Sequence, residues 1–165
     1  MSEPVLIGLH DFDFLAGSWL IHNRRLRAPL SGGDDWYEFE ATSWCRPMLG
    51  GAGNVDEYRA PSLGLIGMTV RTLDTSSGEW SIYWASSTLP GPLQEPVVGR
   101  FSDGVGEFCC DDDFAGKPIR VRYLWSDMSD TGAQWEQAFS ADGGASWETN
   151  WVMRLERSEE EFSGS

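Results

Sequence analysis

Residues 134–156 read QWEQAFSADGGASWETNWVMRLE. Trp135, Gln137 and Phe139 alternate with Gln134, Glu136 and Ala138. Beyond a Gly-rich turn, Trp147, Thr149, Trp151, Met153 and Leu155 alternate with Glu148, Asn150, Arg154 and Glu156. In a β-strand a period of two sends each parity to its own face. Two such runs joined by a short turn make an antiparallel hairpin, and the aromatic parity of both is expected to face a core.

The same period recurs along the chain, and no window sustains a helical i, i+3, i+4, i+7 stripe. Strands are expected at 18–27, 36–46, 54–60, 65–73, 79–86, 97–102, 106–111, 118–126, 134–140 and 146–156. Asp103-Gly104 suits a tight hairpin turn, and Thr75-Ser76-Ser77-Gly78 offers a Gly for positive φ. Pro90-Gly91-Pro92 and the Gly-rich residues 49–53 do not fit strand interiors and are expected as longer loops at one rim. A meander of about ten strands removes its edges most economically by closing on itself. The expected fold is therefore all-β, a single antiparallel up-and-down barrel over residues 1–157. Residues 158–165, acidic and then Gly/Ser, form a tail expected to fray.

Twenty-six acidic against twelve basic residues in 165 leave a net charge of −14, which repels phosphate backbones and anionic membrane surfaces. Nucleic acid and membrane are not expected partners. The first residues, MSEPVLIGLHD, hold no basic region and only a short apolar run, so no leader is expected, and nothing later approaches a membrane span. Cys45, Cys109 and Cys110 are an odd count suited to a reducing compartment, and with only His10 and His22 there is no cluster at zinc spacing. The expectation is a cytoplasmic protein with no metal and no cofactor.

Residues 140–147, SADGGASW, resemble the Asp-box S-x-D-x-G-x-[ST]-W of sialidases and other β-proteins, which implies a folded turn rather than glycosidase activity. Gly17-Ser18-Trp19 resembles the G-x-W that begins the first strand of lipocalins and their calycin relatives. With FDFLAGSW near the start, GEWSIYW mid-chain and SADGGASWETNW near the end, residues 11–157 look like a bacterial family of calycin-like domains without assigned function. The resemblance implies that Trp19 plugs one barrel end, beneath a short N-terminal helix or turn at 10–16, and that Arg154 or Arg157 covers its ring.

If Trp19 faces inward, parity brings Ile21, Asn23 and Arg25 with it. Trp80, Ile82 and Trp84 share an inner face by the same test, as do Ile119, Val121, Tyr123 and Trp125. The interior is then aromatic with a few polar handles, a composition suited to a small organic ligand. The candidate ligand-binding residues are Asn23, Arg25, Tyr37, Arg71, Trp84, Tyr123, Trp125, Gln137 and Trp151. Arg71 enters if Gly67 shifts the register of its strand. Arg25 is the expected anchor for an amphipathic, anionic or carbonyl-bearing molecule stacked on Trp84, Trp125 or Trp151.

Glu38, Glu40 and Glu136 fall on the outer parity, where Arg71, Arg100, Arg120 and Arg122 are available to pair with them. Asp111-Asp112-Asp113 reads as a solvated turn after a strand end, and Cys109-Cys110 as an exposed thiol beside a buried one. Three classes of function fit: a binding module for a small apolar or amphipathic molecule, an isomerase or cyclase using a dry barrel, and a partner-binding or structural protein. Haem-binding barrels of the nitrobindin type also begin near a G-x-W, but they continue G-x-W-x-G-x-G and carry a histidine near the C-terminus. Here Leu20, Ile21, His22 and Asn23 follow Trp19 and no later His exists, which leaves His22 as the candidate axial ligand within the strands.

Overall fold

The computed structural model describes residues 6–162. Ten strands follow one another: β1 (Gly17–Leu26), β2 (Trp36–Met48), β3 (Gly53–Ala60), β4 (Leu65–Asp74), β5 (Glu79–Ser86), β6 (Val97–Ser102), β7 (Val105–Phe114), β8 (Lys117–Ser126), β9 (Gly132–Ser140) and β10 (Glu148–Arg157). Each pairs antiparallel with its neighbours, and β1 closes the barrel against β10. Among the described residues no helix is long and apolar enough to cross a membrane.

The turns follow from local chemistry. Asp103 and Gly104 take φ of 52° and 77°, and Ala115 and Gly116 take 51° and 77°. Two consecutive left-handed residues match the right-handed twist of the strands they join, as in a type I′ hairpin.

Four expectations are corrected. The segment before β1 is not a helix but a single 3-10 turn, Asp13–Leu15. The run Asp111-Asp112-Asp113 lies inside β7, which continues to Phe114, so it is exposed strand and not a turn after one. The two loop regions lie at opposite ends of the barrel: residues 49–52 follow β2 at the Trp19 end, while residues 87–96 follow β5 at the other. In β10, Thr149 pairs with Ala138 and Trp151 with Gln137, so Asn150 is the extra residue of a β-bulge. Before the bulge the parity reverses, and Thr149 falls on the outer face with Ala138. Trp147 there stacks on the outward Arg122, 4.4 Å from its guanidinium, while Asn150 is buried.

Trp19 is 1% exposed and donates its indole N–H to the Leu15 carbonyl at 2.9 Å. Arg157, not Arg154, covers the ring at 4.3 Å. Its guanidinium donates to the carbonyls of Phe14, Ala16 and Asp130, each at 2.7 Å, which ties the incoming chain to the last strand. Arg154 instead reaches Asp127 and Gln134 on the exposed side. Phe12 fills the space above, edge-on to Trp80 at 4.9 Å and to Phe101 at 5.0 Å. This end of the barrel is solid aromatic core.

The Asp-box turn is organised by Asp142, which accepts from Ser146 N at 2.8 Å, from Ser146 Oγ and from Ser140 Oγ at 2.7 Å. These bonds hold its carboxyl down at about 2, a folding device at the surface. The expected fraying tail is partly docked: Ser158 N donates to Ser18 O at 2.9 Å and Phe162 N to Ser18 Oγ at 3.0 Å, and residues 163–165 lie outside the described residues.

Candidate functional site

Above the aromatic plug the barrel holds a cavity of about 100 Å³, several times the ~10–15 Å³ that one water needs. That is room for a compact ring system rather than a long acyl chain.

Aromatic side chains set the walls. The ring of Trp84 reaches diagonally across β4 to Gly67, where a Cβ would come within 1.9 Å of its Cη2, so only glycine leaves room for the indole there. Trp135 meets Trp151 edge-on at 5.5 Å and Tyr123 at 5.0 Å.

One guanidinium stands in this surface. Arg71, 5% exposed, donates from Nη1 to Asn54 Oδ1 at 2.9 Å and to Asp56 Oδ2 at 2.8 Å. Its position needs no register shift: β3 and β4 pair without interruption from Gly53–Thr72 to Ala60–Leu65, which corrects the expectation about Gly67. In both strands the alternation is inverted, with Asn54, Asp56, Thr69 and Arg71 inside and Ile66 and Met68 outside, exposed. The Nε of Arg71 and the Nε1 of Trp125 are buried and have no hydrogen-bond partner among the described residues.

Of the residues chosen from sequence, Arg71, Trp84, Tyr123, Trp125, Gln137 and Trp151 line this cavity together. Asn23, Arg25 and Tyr37 do not. Asn23 is fully buried as a bracket, its Oδ1 accepting from Tyr58 OH at 2.8 Å and Trp151 Nε1 at 3.0 Å. Arg25 stacks on the Trp151 ring at 4.2 Å, and Tyr37 lies between Phe39 and the Arg27 guanidinium. Gln137 is held by Asn150, the bulge residue, at 2.9 Å.

Ser43, Asp56, Tyr58 and Thr69 also line the cavity and were missed. For Asp56 and Tyr58 the signal was present in the alternation of β3, Asn54-Val55-Asp56-Glu57-Tyr58, but its polar parity reads as a solvent face until closure shows otherwise. Burial pushes the hydroxyls of Tyr58 and Tyr123 well above the usual phenol range, so both stay neutral, that of Tyr58 with its O–H donated to Asn23 Oδ1.

The outer carboxylates are partnered differently from expectation. Glu40 and Glu38 flank His22 at 2.5 and 3.1 Å, while Arg100 pairs with Glu79 and Arg120 with Asp111. His22 therefore points away from the interior and cannot ligate a group held there. All three thiols are free. Cys109 and Cys110 are both half-buried rather than one buried and one exposed; burial pushes Cys45 up to about 12 and Cys110 to about 11, far from a thiolate at neutral pH. Among the described residues no three His, Cys, Asp or Glu side chains gather as a metal site.

No protein-family model matches the sequence, and no curated protein matches it.

Proposed function

We propose that the protein is a calycin-like barrel that binds a small apolar or amphipathic organic molecule in its interior, as a carrier or sensor. The observation that carries this reading is the cavity itself: flat indole walls from Trp84, Trp125, Trp135 and Trp151 around one buried, hydrogen-bonded guanidinium. Flat apolar walls supply contact area, and few polar groups fix orientation. Arg157 over Trp19 supports the calycin-like reading. The net charge of −14 and three free thiols support a cytoplasmic protein without nucleic-acid or membrane partners. The acid–base group an isomerase or cyclase would use, Asp56, is engaged by Arg71, which favours binding over catalysis.

Native mass spectrometry of freshly purified protein is expected to show a retained small molecule or, after gentle denaturation, release of one. Small aromatic compounds are expected to change intrinsic Trp fluorescence saturably, and Ser43→Phe, which fills the cavity from β2, is expected to abolish the response while circular dichroism stays native. Equal binding by both proteins, or none by either, would overturn the reading.

A further inference from the structure

Resting on that reading, we infer that the ligand is a neutral aromatic molecule bearing a hydroxyl group, which donates to the Asp56 carboxylate and accepts from the Thr69 hydroxyl. The register sets these groups side by side: Asp56 of β3 pairs with Thr69 of β4, and Thr69 with Trp84 of β5. All three line the cavity, so one row across three strands offers a carboxylate, a hydroxyl and an indole. Cβ atoms of directly opposite residues stand about 4.5–5.5 Å apart, close enough for one small oxygen to meet both polar groups. Both groups open on the cavity. The Asp56 side chain is 10% exposed. Thr69 is 7% exposed, and its Oγ1 has no hydrogen-bond partner among the described residues. The atoms sealed from solvent without a partner are Trp44 Nε1, Arg71 Nε, Arg122 Nε, Trp125 Nε1 and Asn150 Nδ2; Thr69 Oγ1 is not one of them, so it keeps surface toward the cavity.

The chemistry of the ligand follows from which hydrogens are already spent. Asp56 accepts at Oδ2 from Arg71 Nη1 at 2.8 Å, and as a carboxylate it can only accept; its Oδ1 has no partner among the described residues. Its neighbours on this wall do not supply one: Tyr58 gives its O–H to Asn23 Oδ1, and Arg71 Nη1 is shared between Asn54 and Asp56. A hydroxyl carries one donor and two acceptor lone pairs, so a ligand hydroxyl completes both Asp56 and Thr69. A ketone or ether oxygen completes only Thr69 and turns its lone pairs on the carboxylate. A carboxylate ligand sets a second anion beside Asp56, within a protein of net charge −14. The aromatic body follows from the facing wall: Trp125, Trp135 and Trp151 stand on β8, β9 and β10, each five strands from its counterpart in the row Asp56–Thr69–Trp84 in the closed order of ten. Arg25, the anchor expected from parity, lies against the Trp151 ring and does not line the cavity. The anchor moves to Asp56 and Thr69, and with it the ligand class from anionic or carbonyl-bearing to hydroxylated.

Four compounds on one ring test this: toluene, phenol, anisole and benzoate, titrated by calorimetry. Toluene has the shape of phenol without its polar atom, and anisole keeps the oxygen without its hydrogen. Phenol is expected to bind about tenfold tighter than toluene and anisole, as a hydrogen bond to a charged acceptor allows, with benzoate no tighter than toluene. Thr69→Val keeps the shape and removes the hydroxyl. It is expected to erase most of the phenol preference while toluene affinity changes less than about twofold, and to melt no lower than the parent, because the hydroxyl it removes has no partner in the protein. Should that variant fail to fold, the compound series on the parent protein decides. Equal affinities for phenol and toluene would overturn the hydroxyl inference and leave the cavity reading standing. Anisole as tight as phenol, or benzoate tightest of the four, would overturn the donor to Asp56. A full phenol preference in Thr69→Val would overturn the part given to Thr69, and binding by none of the four would remove both the inference and the reading it rests on.

Discussion

The buried pair Arg71–Asp56 permits a quantitative test of what holds the interior together. At 2.8 Å and an effective dielectric constant of about 20, the Coulomb attraction is about 6 kcal/mol, against a desolvation cost of several kcal/mol per ion. The net worth of the pair is small, but each half depends on the other. Asp56→Leu leaves a guanidinium buried with only Asn54 to receive it; Arg71→Met leaves a bare carboxylate and strips Asn54 Oδ1 of its donor. Each single substitution is expected to cost about 3–5 kcal/mol. At roughly 2–4 °C per kcal/mol for a chain of this size, the melting temperature falls by about 6–20 °C. The double variant buries no charge and leaves only the Asn54 oxygen unpaired, at about 1–3 kcal/mol. It is expected to be more stable than either single variant. Thermal and urea denaturation at pH 7 close the cycle. Single variants within about 1 kcal/mol of the parent, or a double variant as unstable as the sum of the singles, would refute the claim that the pair is desolvated and mutually dependent.

Trp19→Ala is expected to lose roughly 3–5 kcal/mol as a fully buried indole, and Arg157→Met to destabilise clearly where Arg154→Met changes stability by less than about 0.5 kcal/mol; equal effects of the two Arg variants would contradict the assignment of the covering cation. Both ring nitrogens of His22 face carboxylates, which accept only, so the cluster requires the imidazolium and the Glu40 and Glu38 bonds raise its pKa above 6.5. Because the folded pKa is the higher, this stabilisation is complete below about pH 6.5 and is lost as pH rises through the folded value. An NMR titration placing His22 at or below 6.5, or a gap between parent and Glu40→Gln that does not shrink at alkaline pH, would show the cluster to be inert. Gly99→Ala puts a Cβ 1.8 Å from the Glu107 carbonyl oxygen, backbone against backbone, and is expected to open the β6–β7 pairing; wild-type amide protection at Phe108 would rule this out.

What was legible from sequence was local. Period-two alternation in β1, β5, β8 and β9 assigns residues to faces because successive Cβ atoms in a strand point to opposite sides whatever the strand packs against. Turns such as Asp103-Gly104 specify antiparallel neighbours, and a meander of such hairpins specifies the strand order. Five of the nine cavity candidates, Trp84, Tyr123, Trp125, Gln137 and Trp151, followed from this alternation; Arg71 entered on a register shift that the pairing of β3 and β4 does not show, and the plugging role of Trp19 came from the resemblance carried by Gly17-Ser18-Trp19. Three features depended on closure. Asn150 looks like one more outward residue of β10 until pairing with β9 makes it the bulge that turns Trp147 outward and holds Gln137. Asn54, Asp56 and Arg71 carry the polarity of a solvent face, yet they turn inward because β3 and β4 are held in register on both sides by β2 and β5. Arg25 and Arg71 both belong to inner faces. Only one reaches the cavity, because Arg25 has an indole within reach and Arg71 has an anion. Parity is a property of one strand, whereas the choice of which face is inside, and which charge finds a partner there, belongs to ten strands closing at once.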